Sequence, residues 1–337
     1  MKKILVTGGT GYIGSHTVVA LQQSGYQVLI IDNLSNSEEF VVERIAQITG
    51  IMPAFTKLDL CDLSGLLNFF SGNPNIEGVI HFAAYKAVGE STEFPLKYYH
   101  NNLLGLINLL EAMQRHCCQK LVFSSSCTVY GQPDELPVSE NAPLKKAFSP
   151  YGNTKKICED IISDHTAVSG LKAISLRYFN PIGAHPTALI GELPLGIPNN
   201  LLPYLTQTAK GKRQSLMVFG SDYNTPDGTG IRDYIHVVDL AEAHVSAIQR
   251  LEKDVATQQA EVFNLGTGTG YSVLEIIKTF ERVNGVKVNY TITNRRPGDI
   301  EKVWADPEKA NKVLGWKARL GLDDMLSSAW EWEKTLT

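Results

Sequence analysis

The 337 residues lack any long run of one charge. Lysines and arginines never run beyond two in succession, and the formal net charge is −4. A nucleic acid or an anionic membrane would therefore find no electrostatic footprint. A basic cleft for a small anion stays open. Long apolar runs are also missing. Only Ile4, Leu5 and Val6 follow the opening basic pair before threonine and glycines intervene, too few for a signal peptide. Nothing approaches the roughly 20 apolar residues of a membrane span. Cysteine is scarce. Cys61, Cys117, Cys118, Cys127 and Cys158 are odd in number, with no C-x-x-C pair and no Cys/His cluster at ligand spacing. This excludes a disulfide framework and points to reduced thiols, a cytoplasmic location and no bound metal.

What is present suits a globular protein of one large domain or two. Residues 1–180 alternate short β-branched runs with helix-length amphipathic stretches. The runs lie at 3–8, 27–32, 54–59, 78–83, 120–126 and 173–179. Apolar strands alternating with helices predict a parallel sheet covered on both faces. Beyond Asn180 the chain turns rich in proline, glycine and asparagine, the texture of a long functional loop. Helices are expected at 201–211, 237–251, 272–284, 307–314 and 322–334, and short strands at 215–219, 261–265 and 288–293. The expected division is a nucleotide-binding layer over 1–180 and a smaller substrate-binding α/β region over 181–337, with the chain crossing between them more than once.

"VTGGTGYIGSH" follows the first strand and opens the first helix. Gly8, Gly11 and Gly14 give a tight turn, a close approach to pyrophosphate and close helix–sheet packing. The helix N-terminus then faces the phosphates. Asp32 ends the second strand, where a carboxylate accepts from both adenosine ribose hydroxyls. It would repel a 2′-phosphate, and no arginine stands beside it, so NAD is favoured over NADP. The whole reads as a Rossmann-like doubly wound sheet. Asp59 and Leu60 end the third strand, where an adenine would pass. Phe82, Ala83 and Ala84 end the fourth and are flat or small enough to lie along a dinucleotide. Lys86 either reaches phosphate or is an exposed loop lysine. A second glycine run, "NLGTGTGYS", lacks an acid at the required distance and reads as a turn and helix start.

Ser124, Ser125 and Ser126 end the fifth strand, on the side where ligands of such sheets bind. Tyr151 and Lys155 share one face of the next helix. A free tyrosine, with a pKa near 10, is a poor base at neutral pH. A lysine ammonium at ~5 Å, in an effective dielectric of ~20, favours the phenolate by about 3 kcal/mol. Such a phenolate can take a proton from an alcohol while hydride leaves the carbon, with Ser126 bonded to the same oxygen.

With these motifs in place, the chain resembles the extended short-chain dehydrogenase/reductases, and among them the UDP-glucose (UDP-galactose) 4-epimerase family. The resemblance runs through "HFAAYKAVGES", "FSSSCTVYG", "SPYGNTK", "LRYFNPIGAHP", "GIPNNLLPY" and "DGTGIRDYIHVVDLAEAH" to "NLGTGTGYSVLE". It implies an isomerase that oxidises the sugar C4 with bound NAD and reduces it again. Tyr151 is then the base, Ser126 its partner, and Lys155 a ligand of the nicotinamide ribose. Tyr12, Ile13, Asn33, Asn36, Ser37, Asn101, Ser124 and Tyr178 join the implied cofactor set. Asn180, Asn200, Leu201, Arg232, Arg296, Asp299 and Val303, with Lys86, fall at UDP-sugar positions. The resemblance also implies a homodimer through helices near 95–117 and 151–170.

Two other readings remain. A nucleotide-sugar 4,6-dehydratase usually carries Asp-Glu after the catalytic hydroxyl, where this chain has Cys127 and Thr128. A non-catalytic NAD-binding regulatory protein would have little reason to keep Ser126, Tyr151 and Lys155 together. Val303 stands where some epimerases carry a tyrosine that crowds the sugar C2 substituent. A smaller residue there implies additional turnover of UDP-GlcNAc and UDP-GalNAc.

Overall fold

The computed structural model describes residues 1–255, 258–296 and 299–336. Its centre is a seven-stranded sheet in which every neighbouring pair is parallel. The strands are β1 (Lys3–Thr7), β2 (Gln27–Asp32), β3 (Ala54–Lys57), β4 (Ile76–His81), β5 (Lys120–Ser124), β6 (Lys172–Tyr178) and β10 (Ala260–Leu265). Their spatial order is β10-β6-β5-β4-β1-β2-β3. The order reverses between β1 and β4, which opens a crevice at the carboxyl ends of those strands.

Alternation along the strands builds two cores. Ile4 and Val6 face α1 (Tyr12–Gln23), α2 (Phe40–Thr49) and α8 (Val237–Glu252) through Val18, Ile45, Leu240 and Ile248. Leu5 and Val79 face α3 (Leu63–Gly72), α5 (Pro95–Arg115) and α6 (Pro150–Ser169) through Leu66, Leu109 and Ile162. A strand buried on both faces reads as a continuous apolar run, so these strands were visible in the sequence.

The remaining chain forms smaller sheets. β9 (Ile231–His236) is central to one of them. It pairs with β7 (Asn180–Ile182), β11 (Gly270–Ser272) and β13 (Lys302–Val303). A two-stranded ribbon joins β8 (Leu216–Phe219) to β12 (Tyr290–Thr293). A third core unites them with α7 (Leu201–Ala209), α9 (Val273–Asn284) and α10 (Leu322–Thr335) through Tyr234, Leu205, Phe280 and Leu326. α9 starts on a capping box made by Ser272 and Glu275. Two segments of 181–337, α8 and β10, are built into the large sheet's layers.

Two expectations shift. The helix expected at 307–314 contains a π-helical turn at Ala310–Leu314, stopped by Gly315 at a φ of +65°. The strand expected at 288–293 starts at Tyr290. β9 precedes α8, with Arg232 and Asp233 paired across the small sheet. A short helix, α4 (Val88–Glu93), precedes α5.

The fold buries four histidines: His16, His81, His236 and His244. Burial pushes His16 and His81 down to about 3, and His236 and His244 down to about 4. As pH falls below ~6.5, the unfolded chain takes up protons that the native chain refuses. Stability is therefore full above that pH and is lost toward acid, by about 1–2 kcal/mol per histidine at pH ~5. Urea midpoints measured at pH 7.5 and pH 5 should show a clear drop, and equal midpoints would contradict these burials.

Candidate active site

The loop after β1 brings its glycines against the end of β4. Gly8 has a φ of +74°, and a Cβ there would lie 2.8 Å from the Ala83 amide nitrogen. A Cβ on Gly14 would lie 2.1 Å from the Gly8 carbonyl oxygen. Both positions therefore require glycine, one for conformation and both for space. Gly11 precedes α1 in extended conformation, and its amide donates to the Gly8 carbonyl at 3.2 Å. Tyr12 and Ile13 open α1; Tyr12 Oη donates to the Gly183 carbonyl at 2.6 Å, and Ile13 packs on the core.

Asp32 is buried at the end of β2. Its Oδ2 accepts from the Thr10 amide at 3.2 Å, and its Oδ1 from the Leu34 amide at 2.9 Å and Ser37 Oγ at 3.2 Å. Thr10 Oγ1 and Ser37 Oγ lie 2.7 Å apart and close this ring. Asn33 Nδ2 donates to Asp59 Oδ2 at 2.9 Å. Asn33, Asp59, Ser35, Lys57, Leu58 and Tyr85 line an open cleft of about 420 Å³. Asn36 is exposed nearby. Leu60 belongs instead to the core, with its carbonyl accepting from Asn108. Phe82 turns its ring to His244, centroids 4.7 Å apart, while the Phe82 and Ala83 backbone lies beside Gly8; Ala84 is the next residue along. Asn101 Nδ2 donates to Asn102 Oδ1 at 2.9 Å. Asn102 in turn bonds Tyr85 and Thr154.

Ser124, Ser126, Tyr151, Lys155 and Tyr178 converge at the ends of β5 and β6. Pro150 opens α6 and Ser149 caps it, its Oγ accepting from the Gly152 amide at 3.2 Å. That start buries Tyr151 and, one turn on, Lys155. Lys155 Nζ donates to the Ser124 carbonyl at 2.6 Å and lies 4.8 Å from the centre of the Phe123 ring. Ser124 Oγ and Tyr178 Oη are 2.7 Å apart. Ser126 caps the 3-10 turn Cys127–Tyr130, accepting from the Thr128 amide at 3.2 Å and hydroxyl at 3.0 Å.

The electrostatics here differ from the sequence expectation. Burial drives Tyr151 well above 10, and nearby Tyr178 adds to it; the Ser126 hydroxyl acts in the lowering direction. Burial also pushes Lys155 down to about 8, against the raising influence of Cys158 and Glu159. Lysine attraction alone had predicted a lowered tyrosine. Desolvation of a phenol held inside the protein dominates instead, and the ammonium is engaged by a backbone carbonyl.

On the far side of the crevice, Arg232 lies in β9 opposite Val303 in β13. Arg232 Nη1 donates to the Ile231 carbonyl at 2.9 Å. Asn180 Nδ2 donates to the Asp233 carbonyl at 3.0 Å. Val303 is buried in a cluster with Val129, Tyr130 and Phe179, against which Cys127 packs. Arg296 pairs with Asp299 at 2.9 Å and stands 5.5 Å from the Phe219 ring centre. Asn200 precedes α7, whose first residue is Leu201. Asn200 Nδ2 and Lys86 Nζ both donate to Glu192 Oε1, at 2.6 and 3.0 Å.

Four side chains at these positions escaped the sequence reading: Thr10, Tyr85, Glu192 and Asp233. Thr10 lay inside the glycine motif, and Asp233 beside Arg232 in "IRDYIH", so both had a signal. Asp233 is buried and accepts from the Thr267 amide and hydroxyl, the Gly268 amide and the Ala305 amide. It thereby fixes the second glycine run against β9. Glu192 had none, since its partner Lys86 is 106 residues away.

Glycines that leave room for a diphosphate, a held carboxylate and a hydroxyl–phenol–ammonium group in one crevice suit alcohol oxidation with a dinucleotide. The known proteins agree. The family model described as GDP-mannose 4,6 dehydratase matches residues 5–329. The UDP-glucose 4-epimerase of Bacillus subtilis (strain 168) is 55% identical over 333 residues, 98% of this chain and 97% of that one. A Stenotrophomonas maltophila UDP-glucose-4-epimerase, with bound NAD and formylated UDP-arabinopyranose, superposes with a TM-score of 0.95 at 50% identity, over 99% of this chain and 98% of that one. The Bifidobacterium longum enzyme, in complex with NAD+ and UDP, gives 0.94 at 48% identity, over the same shares. The chain belongs to the nucleotide-sugar family that this dehydratase model describes and, within it, to the UDP-glucose 4-epimerases.

Proposed function

We propose that this chain interconverts UDP-galactose and UDP-glucose with bound NAD. The observation that carries this reading is the burial of Tyr151 and Lys155 beside Ser124 and Ser126, next to the glycine loop. The residues fit the cofactor, because Gly8 and Gly14 pack the loop tightly against β4 and α1, while a Cβ on Gly11 would meet only the Gly8 carbonyl oxygen, at 3.3 Å, which leaves the start of α1 open to a diphosphate. Gly8, Gly11 and Gly14 would hold its diphosphate, Asp32 a ribose, and Tyr151, Lys155 and Tyr178 the nicotinamide end. When bound, the oxidised nicotinamide supplies a hydride acceptor and a positive charge.

The chain's own residues handle the proton and the geometry. Tyr151 would act as its phenolate, formed against the cost of burial only once the positive charge of the oxidised nicotinamide joins that of Lys155. Its Oη then takes the C4 hydroxyl proton as hydride leaves that carbon, and returns it on reduction. Ser126 Oγ holds the reacting oxygen in line. Lys155, fixed on the Ser124 carbonyl, supplies charge beside the phenol. Arg232, Arg296 and Asp299 would hold the UDP part through paired bonds to diphosphate and ribose. The hexose then needs few rigid contacts and can present its other face.

A dehydratase needs an acid and a base where this chain has Cys127 and Thr128. Burial pushes the Cys127 thiol up to about 12, and the Thr128 hydroxyl is given to Ser126. Neither serves elimination at neutral pH. Incubation with UDP-galactose, followed by proton NMR, should yield UDP-glucose. A 4-keto-6-deoxy sugar would support the dehydratase reading, and no product a binding module.

We extend the proposal to UDP-GlcNAc and UDP-GalNAc, on the valine at 303. Val303→Tyr should suppress the N-acetyl reaction by about tenfold or more relative to UDP-galactose turnover. If the wild type turns over UDP-galactose but forms no UDP-GalNAc from UDP-GlcNAc, the extension fails. The proposed assembly is a cytoplasmic homodimer through α5 and α6, which expose Leu96, Ile107 and Val168.

A further inference from the structure

Three serines end the β5 segment, and the outer two have parts in the reading above. The middle one, Ser125, is fully buried. Its hydroxyl donates to Glu159 Oε1 at 2.5 Å. Glu159 lies on α6, one turn beyond Lys155 and two beyond Tyr151. Arg177 of β6 grips the same carboxylate, through Nε at 3.0 and 3.2 Å and Nη2 at 2.5 Å. Arg177 Nη1 reaches in the other direction and donates to Tyr130 Oη at 2.9 Å. Tyr130 is the last residue of the turn that Ser126 caps, and its own hydroxyl donates to Asn264 Oδ1 at 2.6 Å in β10.

The pair is 6% and 8% exposed, so both charges have left water. Cohesion alone does not call for such a pair, since apolar residues of similar volume often serve as well or better. What distinguishes this pair is where its bonds go. The carboxylate holds the residue before Ser126, and the guanidinium holds the end of the turn after it. The carboxylate itself rides on the helix of Tyr151 and Lys155.

We propose that Glu159 and Arg177 are positioning residues, which act through Ser125 and Tyr130 to set the Ser126 hydroxyl against the Tyr151 phenol. The proposal rests on reading Ser126 and Tyr151 as the working pair. Working geometry of this kind is held to about 0.5 Å, and a misplacement of about 1 Å costs on the order of 100-fold in rate. The strand end and the helix come from different parts of the chain; the Ser125–Glu159 bond joins them beside the Lys155 bond to the Ser124 carbonyl, and Arg177 ties that carboxylate to the turn after Ser126.

Ser125→Ala and Tyr130→Phe test this, because each removes one oxygen and leaves the ion pair in place. Crystal structures should show the Ser126 Oγ to Tyr151 Oη separation lengthened by about 0.5 Å or more in both variants. On UDP-galactose, kcat per bound NAD should fall by about tenfold with KM changed less than about twofold. Ser125→Thr restores the hydroxyl and should regain most of the lost kcat. An unchanged separation overturns the proposal. So does wild-type kcat in both variants, or a loss that appears only in KM. Should Ser125→Ala fail to fold, Tyr130→Phe decides by the same two readouts. If the wild type does not turn over UDP-galactose, the substrate reading fails, and the separation alone decides the positioning role.

Discussion

Tyr151→Phe should leave a folded protein that binds UDP-sugar and NAD yet turns over about 10²–10⁴-fold more slowly. The substitution removes one buried oxygen and keeps the ring. Tyr151 lies against Ser126 and Tyr178, and its carbonyl, not its hydroxyl, accepts from Thr154 Oγ1 at 2.7 Å. Folding should therefore change little. Chemistry should change greatly, because the phenol oxygen is the group read as accepting the C4 proton. A hydrogen bond holds Lys155 Nζ on the Ser124 carbonyl, and Ser126 is an alcohol that accepts from Thr128. Turnover near that of the wild type would remove Tyr151 from the reaction.

Gly14→Ala should yield a protein that no longer retains NAD. The added methyl would stand 2.1 Å from the Gly8 carbonyl oxygen and 3.0 Å from the Gly9 Cα. Both partners are backbone, so no side chain can swing aside. α1 must then move away from the loop, and its N-terminus loses its aim at the diphosphate. Overpacking of this kind costs about 1–3 kcal/mol in stability, a modest share beside the loss of the cofactor. The nucleotide content of purified protein checks it. Wild-type NAD content in Gly14→Ala would show that the glycine loop does not hold the diphosphate.

The parts of the fold legible in the sequence share a cause. Strands buried on both faces leave uninterrupted apolar runs, and glycines without room for a Cβ leave a fixed spacing. The small sheet around β9 offered neither. Its partners are two or three residues long, shorter than any period, and β9 itself carries an arginine and an aspartate. Asp233 tolerates burial because four donors reach its carboxylate, and those come from residues 267, 268 and 305.

The site was legible as chemistry more than as electrostatics. Ser126, Tyr151 and Lys155 converge as their motifs implied. Their distance from water was not written in the motif, and that is what drives Tyr151 up and Lys155 down. Lys86 and Asn200 read as ligand groups, but Glu192 holds both. Long-range pairs of this kind leave no local trace in sequence.

The central claim is that one carbon is oxidised and reduced within a single bound complex. UDP-galactose carrying deuterium at C4 tests it most directly. The product should be UDP-glucose with the deuterium still at C4, because the hydride that leaves is the hydride that returns. UDP-glucose carrying hydrogen from water at C4 would contradict the account.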